Sequence, residues 1–292
     1  YFKIFKKEDL LKLKNINIKI RIIIRLFFLL FSLSKVVGQN SPIYKINANY
    51  NHDLKTIDIE QSVTFFNNSN EILSEIFLND WSSSYSSTET PLAQRLAEEY
   101  DRSFYFANKN KRGNTLNLLI KNNSKDLNWS RLKNQSDIIR VDLNKPLNPN
   151  EKILIKLNYV VKIADKRFTG YGIIDKNNVF IKDWFISLCK IIDNNWIKNS
   201  NLDLEEIPRN KSDYNIKWII PKNLNIHSNL ILKNEKKSEI SNEYEFYGDQ
   251  YADIQFQITS RNLFKKFKKN STYFETSLSA SGISSMREIS NY

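Results

Sequence analysis

The stretch Leu54–Phe106, LKTIDIEQSVTFFNNSNEILSEIFLNDWSSSYSSTETPLAQRLAEEYDRSFYF, decides the reading of the fold. Ile57, Ile59, Gln61, Val63 and Phe65 alternate with Asp58, Glu60, Ser62 and Thr64, the period of a half-buried strand. Asn67-Asn68-Ser69-Asn70 then predicts a turn, with Ile72 to Leu78 as the return strand of a hairpin. Asn79-Asp80-Trp81 follows as a loop. Thr90 is suited to an N-cap and Pro91 to the first helical position, where a missing N–H costs nothing. Leu92, Leu96 and Tyr100 then share a face with Ala93 and Ala97 beside them, and Glu98, Glu99 and Asp101 face water.

The same period recurs outward from this stretch. Ile153, Ile155, Leu157, Tyr159 and Val161 alternate after the turn at 146–150, and Ile254, Phe256 and Ile258 repeat the pattern. Short apolar runs at 116–120, 138–143, 179–185, 216–220 and 230–232 lie between Asn-, Lys- and Gly-containing turns. The expected fold is all-β: a large antiparallel β-sandwich or saddle-like sheet domain with one short helix near 91–101, preceded by a signal-peptide helix.

The leader is read from residues 1–38. Lys12, Lys14, Lys19 and Arg21 precede the apolar run at 26–33, and Val36-Val37-Gly38 offers small residues for cleavage, the order of a secretory signal. An uncleaved anchor is the rival, but Arg25 and Lys35 interrupt the run before the roughly 20 apolar residues it needs. The only methionine is Met286, so a fragment or an unusual upstream start is expected. The formal charge of +12 shrinks on inspection: residues 1–38 hold nine Lys and Arg against Glu8 and Asp9, or +7, which leaves +5 for the rest. That balance gives no nucleic-acid footprint, and the cluster Lys265-Lys266-Phe267-Lys268-Lys269 reads as a solvated connector. The single cysteine, Cys189, excludes an internal disulfide and sits in an apolar segment as a buried thiol. The six Asn-x-Ser/Thr matches, Asn67-Asn68-Ser69 among them, follow from Asn abundance and mark expected surface turns. The Ser-rich stretch 276–285 reads as a linker.

Catalytic chemistry is hard to assemble. A zinc peptidase needs two His one helical turn apart with a Glu between them and a further ligand. The chain has two His, His52 and His227, both expected in exposed turns and far apart in sequence. No G-x-S-x-G elbow or glycine-rich phosphate loop occurs. Glu98-Glu99 and Glu205-Glu206 read as solvated faces. The five tryptophans, Trp81, Trp129, Trp184, Trp196 and Trp218, read first as core and edge packing.

Several segments in order resemble the N-terminal β-domain of M1-family, aminopeptidase N-like zinc metallopeptidases of a secreted Bacteroidetes or flavobacterial type. They are the expected hairpin Lys55 to Leu78, Asn79-Asp80-Trp81, Ser84-Tyr85-Ser86, and Thr90-Pro91-Leu92 with Arg95. Arg112-Gly113, Trp129-Ser130-Arg131 and Leu143 to Pro149 follow, then Phe168-Thr169-Gly170-Tyr171-Gly172, Asp183-Trp184-Phe185-Ile186-Ser187 and Tyr214-Asn215-Ile216. The likeness spans about Ile43 to Ser260.

The resemblance implies a leader over 1–38, an M1-type N-terminal β-domain over 39–262, and a linker or the start of a missing catalytic domain over 263–292. It implies a non-catalytic scaffold that walls a substrate cleft and is inactive alone, with Tyr171, Asp183 and Trp184 as substrate-cleft candidates and no catalytic or metal residue in this chain. Competent members use a Gln after the Gly-aromatic turn to hold the substrate's amino end; Lys182-Asp183-Trp184-Phe185 has none, which leaves Asp183 to attract an ammonium group. Zinc is expected only in the missing catalytic domain. The partner is that domain in cis, peptide substrate is met only with it, no nucleic acid is expected, and the membrane is met only through the leader. The location is exported: periplasmic, outer-surface or extracellular. Two alternatives stand beside this reading. One is a stand-alone secreted β-sandwich that binds glycan or protein through Trp81 or Trp129; the other is the remnant of a disrupted peptidase gene.

Overall fold

The structure, a computed structural model, describes residues 40–204 and 208–261 in full and the backbone of 265–269 and 272–276. The leader, Glu205-Glu206 and the Ser-rich stretch from 277 lie outside the described residues. The chain separates into two units, Tyr1–Asn40 and Ser41–Tyr292, and the elements below belong to the second.

Its first strands are β1 (Ile43–Asn51), β2 (Thr56–Phe66) and β3 (Leu73–Asn79), followed by a 3-10 turn at Trp81–Tyr85 and the helix α1 (Pro91–Glu98). Then come β4 (Asn114–Asn122), β5 (Lys125–Asp126), β6 (Trp129–Leu132), β7 (Gln135–Leu147) and β8 (Lys152–Lys162). The middle holds β9 (Gly172–Asp175), β10 (Asn178–Lys182), β11 (Ser187–Leu188), β12 (Lys190–Ile192) and β13 (Asn195–Ile197). Next are β14 (Ser212–Pro221), β15 (Asn225–Ser228), β16 (Ile231–Lys237), β17 (Ser241–Tyr251) and β18 (Gln255–Thr259). The last pair is β19 (Lys265–Lys269) and β20 (Thr272–Thr276).

One sheet of eight strands runs β16-β17-β14-β1-β2-β8-β4-β5, antiparallel except where β1 and β14 lie parallel. Two four-stranded sheets, β15-β18-β10-β9 and β11-β3-β7-β6, join it. The all-β expectation therefore holds, and the alternation that predicted it is the burial pattern itself. On β1, Tyr44, Ile46, Ala48 and Tyr50 are buried; on β2, Ile57, Ile59, Gln61, Val63 and Phe65 are. One contiguous apolar core draws on the eight-stranded sheet and on both smaller ones. Burying one such Ile or Phe contributes about 1.5–3 kcal/mol, so dozens of them hold the layers together.

Three polar side chains on the inner face of the large sheet, Gln61, Tyr159 and Tyr44, fix the segment that leads to β11. Gln61 Nε2 donates to the Ile186 carbonyl at 2.6 Å, and Tyr159 Oη donates to Gln61 Oε1 at 2.6 Å. The Ile186 and Leu188 amides donate to the hydroxyls of Tyr159 and Tyr44, each at 2.9 Å. Buried amides left unpaired are costly, so these side chains replace a strand partner.

Four expectations are corrected. β2 and β3 do not form a hairpin: β2 pairs with β1 and β8, while β3 crosses to the sheet of β7 and β11. The cause is visible in Ile76-Phe77-Leu78, buried in succession and so requiring cover on both faces. Asn67 shapes the crossing; it is fully buried rather than at the surface, and its Nδ2 donates to the carbonyls of Glu71 and Leu147 at 2.8 and 3.0 Å. α1 begins as expected, with the Ala93 amide donating to Thr90 Oγ1 at 3.3 Å, but it stops at Glu98. Tyr100 takes a left-handed φ of 63° and is 86% exposed, so it does not extend the buried face. His227 lies on β15 opposite Gln257, not in a turn. The backbone of the basic cluster forms strand β19, hairpinned with β20.

Candidate functional site

Two buried carboxylates brace the segments that form one wall of a cavity. Asp80 accepts from Ser83 Oγ at 2.8 Å, Thr115 Oγ1 at 2.5 Å and Arg131 Nη2 at 2.6 Å. Its backbone amide donates to the Asp137 carbonyl at 2.7 Å. The Asp137 carboxylate takes the Ser200 hydroxyl at 2.9 Å and the Asn201 amide at 2.7 Å, and burial pushes its pKa up. Asn201 Nδ2 then donates to Ser84 Oγ at 3.0 Å. The serines of Trp81–Tyr85 complete the turn, with Ser84 Oγ donating to the Trp81 carbonyl at 2.6 Å. This polar core presents Trp81 and Tyr85 to the cavity from one side and Asn201 from the other.

The opposite wall comes from 169–172 and 182–184. Gly172 has φ +126°, and a Cβ there would lie 2.1 Å from the Ala164 carbonyl oxygen, so only glycine brings this turn against 164. Tyr171, held between these turn residues, stacks obliquely on Phe180 with centroids 5.3 Å apart and faces the Lys182 ammonium at 5.5 Å. Lys182 is also 3.0 Å from Asp253; burial pulls its pKa down, and the Asp253 contact more than offsets that. Tyr85 Oη lies 2.8 Å from Thr169 Oγ1, and burial raises its pKa to about 12.

Asp183 directly follows β10 and takes the left-handed region, at φ +52°. Its carboxylate is held by both terminal nitrogens of Arg209, with Nη2 to Oδ2 at 2.9 Å. The Arg209 guanidinium in turn lies 4.8 Å from the centre of the Trp81 ring. Burial pushes the pKa of Asp183 up, which opposes its ionised form, while the Asp183 contact outweighs burial to push Arg209 up, which favours it. The two directions conflict; the bidentate geometry needs a carboxylate and decides for the ion pair.

Trp81, Tyr85, Tyr171, Lys182, Asp183 and Arg209 line an open cavity of about 410 Å³. Tyr171, Asp183 and Trp184 all border it, although Trp184 is itself packed at 4.6 Å on Trp218 and at 5.8 Å on Phe256. Sequence reading missed Arg209, Asn201, Asp203 and Asp137. Arg209, Asn201 and Asp137 pair with Asp183, Ser84 and Ser200, 26 to 117 positions away along the chain, and no local period signals such pairing; the Asp203 amide donates to Asn201 Oδ1 within the same loop. An incoming ammonium would have to compete with Arg209 for Asp183. Among the described residues no histidine or cysteine borders the cavity; aromatic rings, hydrogen-bonding groups and the Asp183–Arg209 pair line it.

The remaining candidates lie elsewhere. Trp81 is 6% exposed and offers no solvent-facing platform; Trp129, on the edge strand β6, is 36% exposed with Arg131 6.0 Å from its ring. His52 sits in a turn with Nδ1 3.4 Å from Lys55 Nζ, and burial lowers its pKa. Cys189 is buried with Phe77 and Ile138, and its thiol donates to Asn79 Oδ1 at 3.1 Å. Among the described residues no group of three or more His, Cys, Asp or Glu is placed to hold a metal ion, so the donor set there does not fit zinc.

No protein-family model matches the chain, and no curated protein matches it in sequence. Among solved structures it is similar to the M1 zinc metallopeptidase from Deinococcus radiodurans, with a TM-score of 0.43 and 10% identity over 82% of this chain and 47% of that one. A mutant of a two-domain M1 zinc metallopeptidase bound to L-arginine gives a TM-score of 0.46, 9% identity and coverage of 82% and 47%. A Deinococcus radiodurans mutant bound to a Tyr-Ser-Ala substrate gives 0.46, 11% identity and the same coverage. The chain thus spans about half the length of these structures, and likeness at this level describes shape over part of each chain.

Proposed function

We propose that this chain is the non-catalytic N-terminal β-domain of an exported M1-like zinc aminopeptidase, inactive alone, with its cavity forming one wall of the substrate cleft. One observation carries the reading. Pieces of sequence that share the family resemblance, far apart along the chain, line a single cavity: Trp81, Tyr85, Gly170 to Gly172, and Asp183 with Trp184. A scaffold serving only its own core has no need to bring those segments to one open concavity. In this reading the zinc and its ligands belong to a catalytic domain supplied in cis, peptide is the substrate only in its company, and neither nucleic acid nor a metal is a partner of this domain.

The test has two arms. The purified chain is assayed on aminoacyl p-nitroanilides with added zinc, and no turnover is expected. The DNA following codon 292 is read for an in-frame His-Glu-x-x-His, which is expected. Turnover by this chain alone, or a downstream region with no such motif in any frame, overturns the proposal; the motif out of frame points to a disrupted gene instead.

A further inference from the structure

The outer face of the eight-stranded sheet carries a shallow trough of about 690 Å³, remote in chemistry from the cavity above. Strand register organises it into two rows that cross six strands. The first row runs Asn234, Glu245, Lys217, Asn47, Glu60 and Asn158. The second runs Lys236, Glu243, Ile219, Asn49, Asp58 and Val160. Neighbouring columns are set about 4.8 Å apart by strand spacing, and the rows about 7 Å apart by two residues of strand rise. Five column spacings give a strip about 24 Å long.

The polar side chains of this strip differ from the buried asparagines of the fold. Asn67, Asn178, Asn201 and Asn242 each hydrogen-bond within the protein. Among the described residues, no internal hydrogen bond or ion pair engages the side chains of either row. Cross-strand neighbours of opposite charge, such as Lys217 and Glu245, stand side by side without closing on one another. At one end a register shift on β4 turns Leu116 and Leu119 outward on either side of Asn117, whose φ is +54°, and leaves both leucines exposed. Bulges of this kind re-aim side chains and recur next to sites of function.

We propose that this trough binds a linear, uncharged glycan lying across the strands. Amides donate and accept, carboxylates accept and ammonium groups donate, so the strip offers both halves of the bonding that sugar hydroxyls need. Ile219, Val160, Leu116 and Leu119 supply apolar patches for the C–H faces of the rings. The repeat matters as well as the chemistry. An extended peptide rises about 3.3 Å per residue and falls out of step with columns about 4.8 Å apart. The carboxylates Asp58, Glu60, Glu243 and Glu245 repel a polyanion such as nucleic acid. The strip lacks the deep apolar pocket in which a protein partner seats its anchor residue.

The experiment uses the full chain and isothermal titration with four hexasaccharides: β-1,4-linked glucose, β-1,4-linked N-acetylglucosamine, β-1,3-linked glucose and α-1,4-linked glucose. At least one is expected to bind with Kd of about 1 mM or tighter. Asn47→Ala/Asn49→Ala, both exposed at the centre of the strip, is expected to weaken it at least tenfold with an unchanged urea midpoint. Glu60→Gln/Glu245→Gln gives a second reading should the first pair disturb folding. Tyr171→Phe in the other cavity is expected to leave glycan affinity untouched, so this inference and the peptidase reading fail independently. Absence of binding by all four sugars, or full affinity in both folded trough variants, overturns it.

Discussion

Arg209 grips Asp183 across 26 residues of chain, with Nη2 2.9 Å from Oδ2 and the second nitrogen closing the fork, while Trp81 covers the guanidinium at 4.8 Å. The side chains are 18% and 25% exposed, so most of the pair is out of water. Removing one partner leaves a poorly solvated charge, whereas removing both does not. Arg209→Met is expected to cost about 2–4 kcal/mol, below the full buried-pair range because of the residual exposure. Asp183→Asn/Arg209→Met is expected to recover part of that loss, with a coupling of about 1–3 kcal/mol in the double-mutant cycle. Urea denaturation checks this, and a single variant within about 0.5 kcal/mol of the parent would show that the pair is solvated and contributes nothing.

Asp80 is the stronger structural node. Its carboxylate is buried and receives Ser83, Thr115 and Arg131; without it Ser83 Oγ keeps Asn114 Oδ1 at 3.2 Å and Arg131 keeps the Ser136 carbonyl, but the guanidinium loses its counter-charge and Thr115 Oγ1 its acceptor. Asp80→Ala is expected to destabilise the domain by about 3–5 kcal/mol, the range for breaking a buried charged pair. Thr115→Val removes one donor and keeps the shape, so about 1–2 kcal/mol is expected. Equal losses from the two variants in urea melts would contradict the view of Asp80 as the hub.

What could be read in the sequence follows from which interactions are local. Alternation along β1, β2 and β8 is the direct imprint of one wet and one dry sheet face, so strand type and inward residues were legible. The Thr90 cap was legible because its partner is three residues away. The β2–β3 crossing was not, since Asn67-Asn68-Ser69-Asn70 is good turn chemistry in either connection and only the burial of Ile76-Phe77-Leu78 on both faces separates them. Tyr100 kept the helical spacing of Leu92 and Leu96, but the helix ended one turn sooner. The cavity was legible only through the resemblance. Tyr171, Asp183 and Trp184 came from motif order, while Arg209 and Asn201 needed the three-dimensional pairing that brings distant loops together.

Asp137 should leave a signature in the pH dependence of stability. Burial raises its pKa above the ordinary 3.8 of an aspartate, so the folded state holds the proton more tightly than the unfolded chain. The contribution of this group is therefore fully present below the unfolded pKa and is lost as pH rises through the folded one. Asp137→Asn removes the titration. The stability of the parent minus that of Asp137→Asn is expected to fall as pH rises from near 3.8 toward the folded pKa, then to level off. Urea melts of both proteins at stepped pH test the sign; a difference that grows with pH in that window reverses the assignment.

Cys189 offers a probe of opening that needs no substitution. It is the single cysteine, lies buried against Phe77 and Ile138, and donates its thiol to Asn79 Oδ1 at 3.1 Å. Burial pushes its pKa to about 12. Thiolate is the reactive species, and at pH 8 both the proton and the packing withhold it. Ellman's reagent is therefore expected to label none of the native protein over minutes at pH 8, and one equivalent per chain once guanidinium has unfolded it. Slow labelling under native conditions should follow the opening of the sheet that carries Phe77 and Ile138, and Asp80→Ala, which loosens that layer beside Asp137, should speed it. Rapid stoichiometric labelling of the native parent would mean that the thiol is exposed and that β3, β7 and β11 do not close over it.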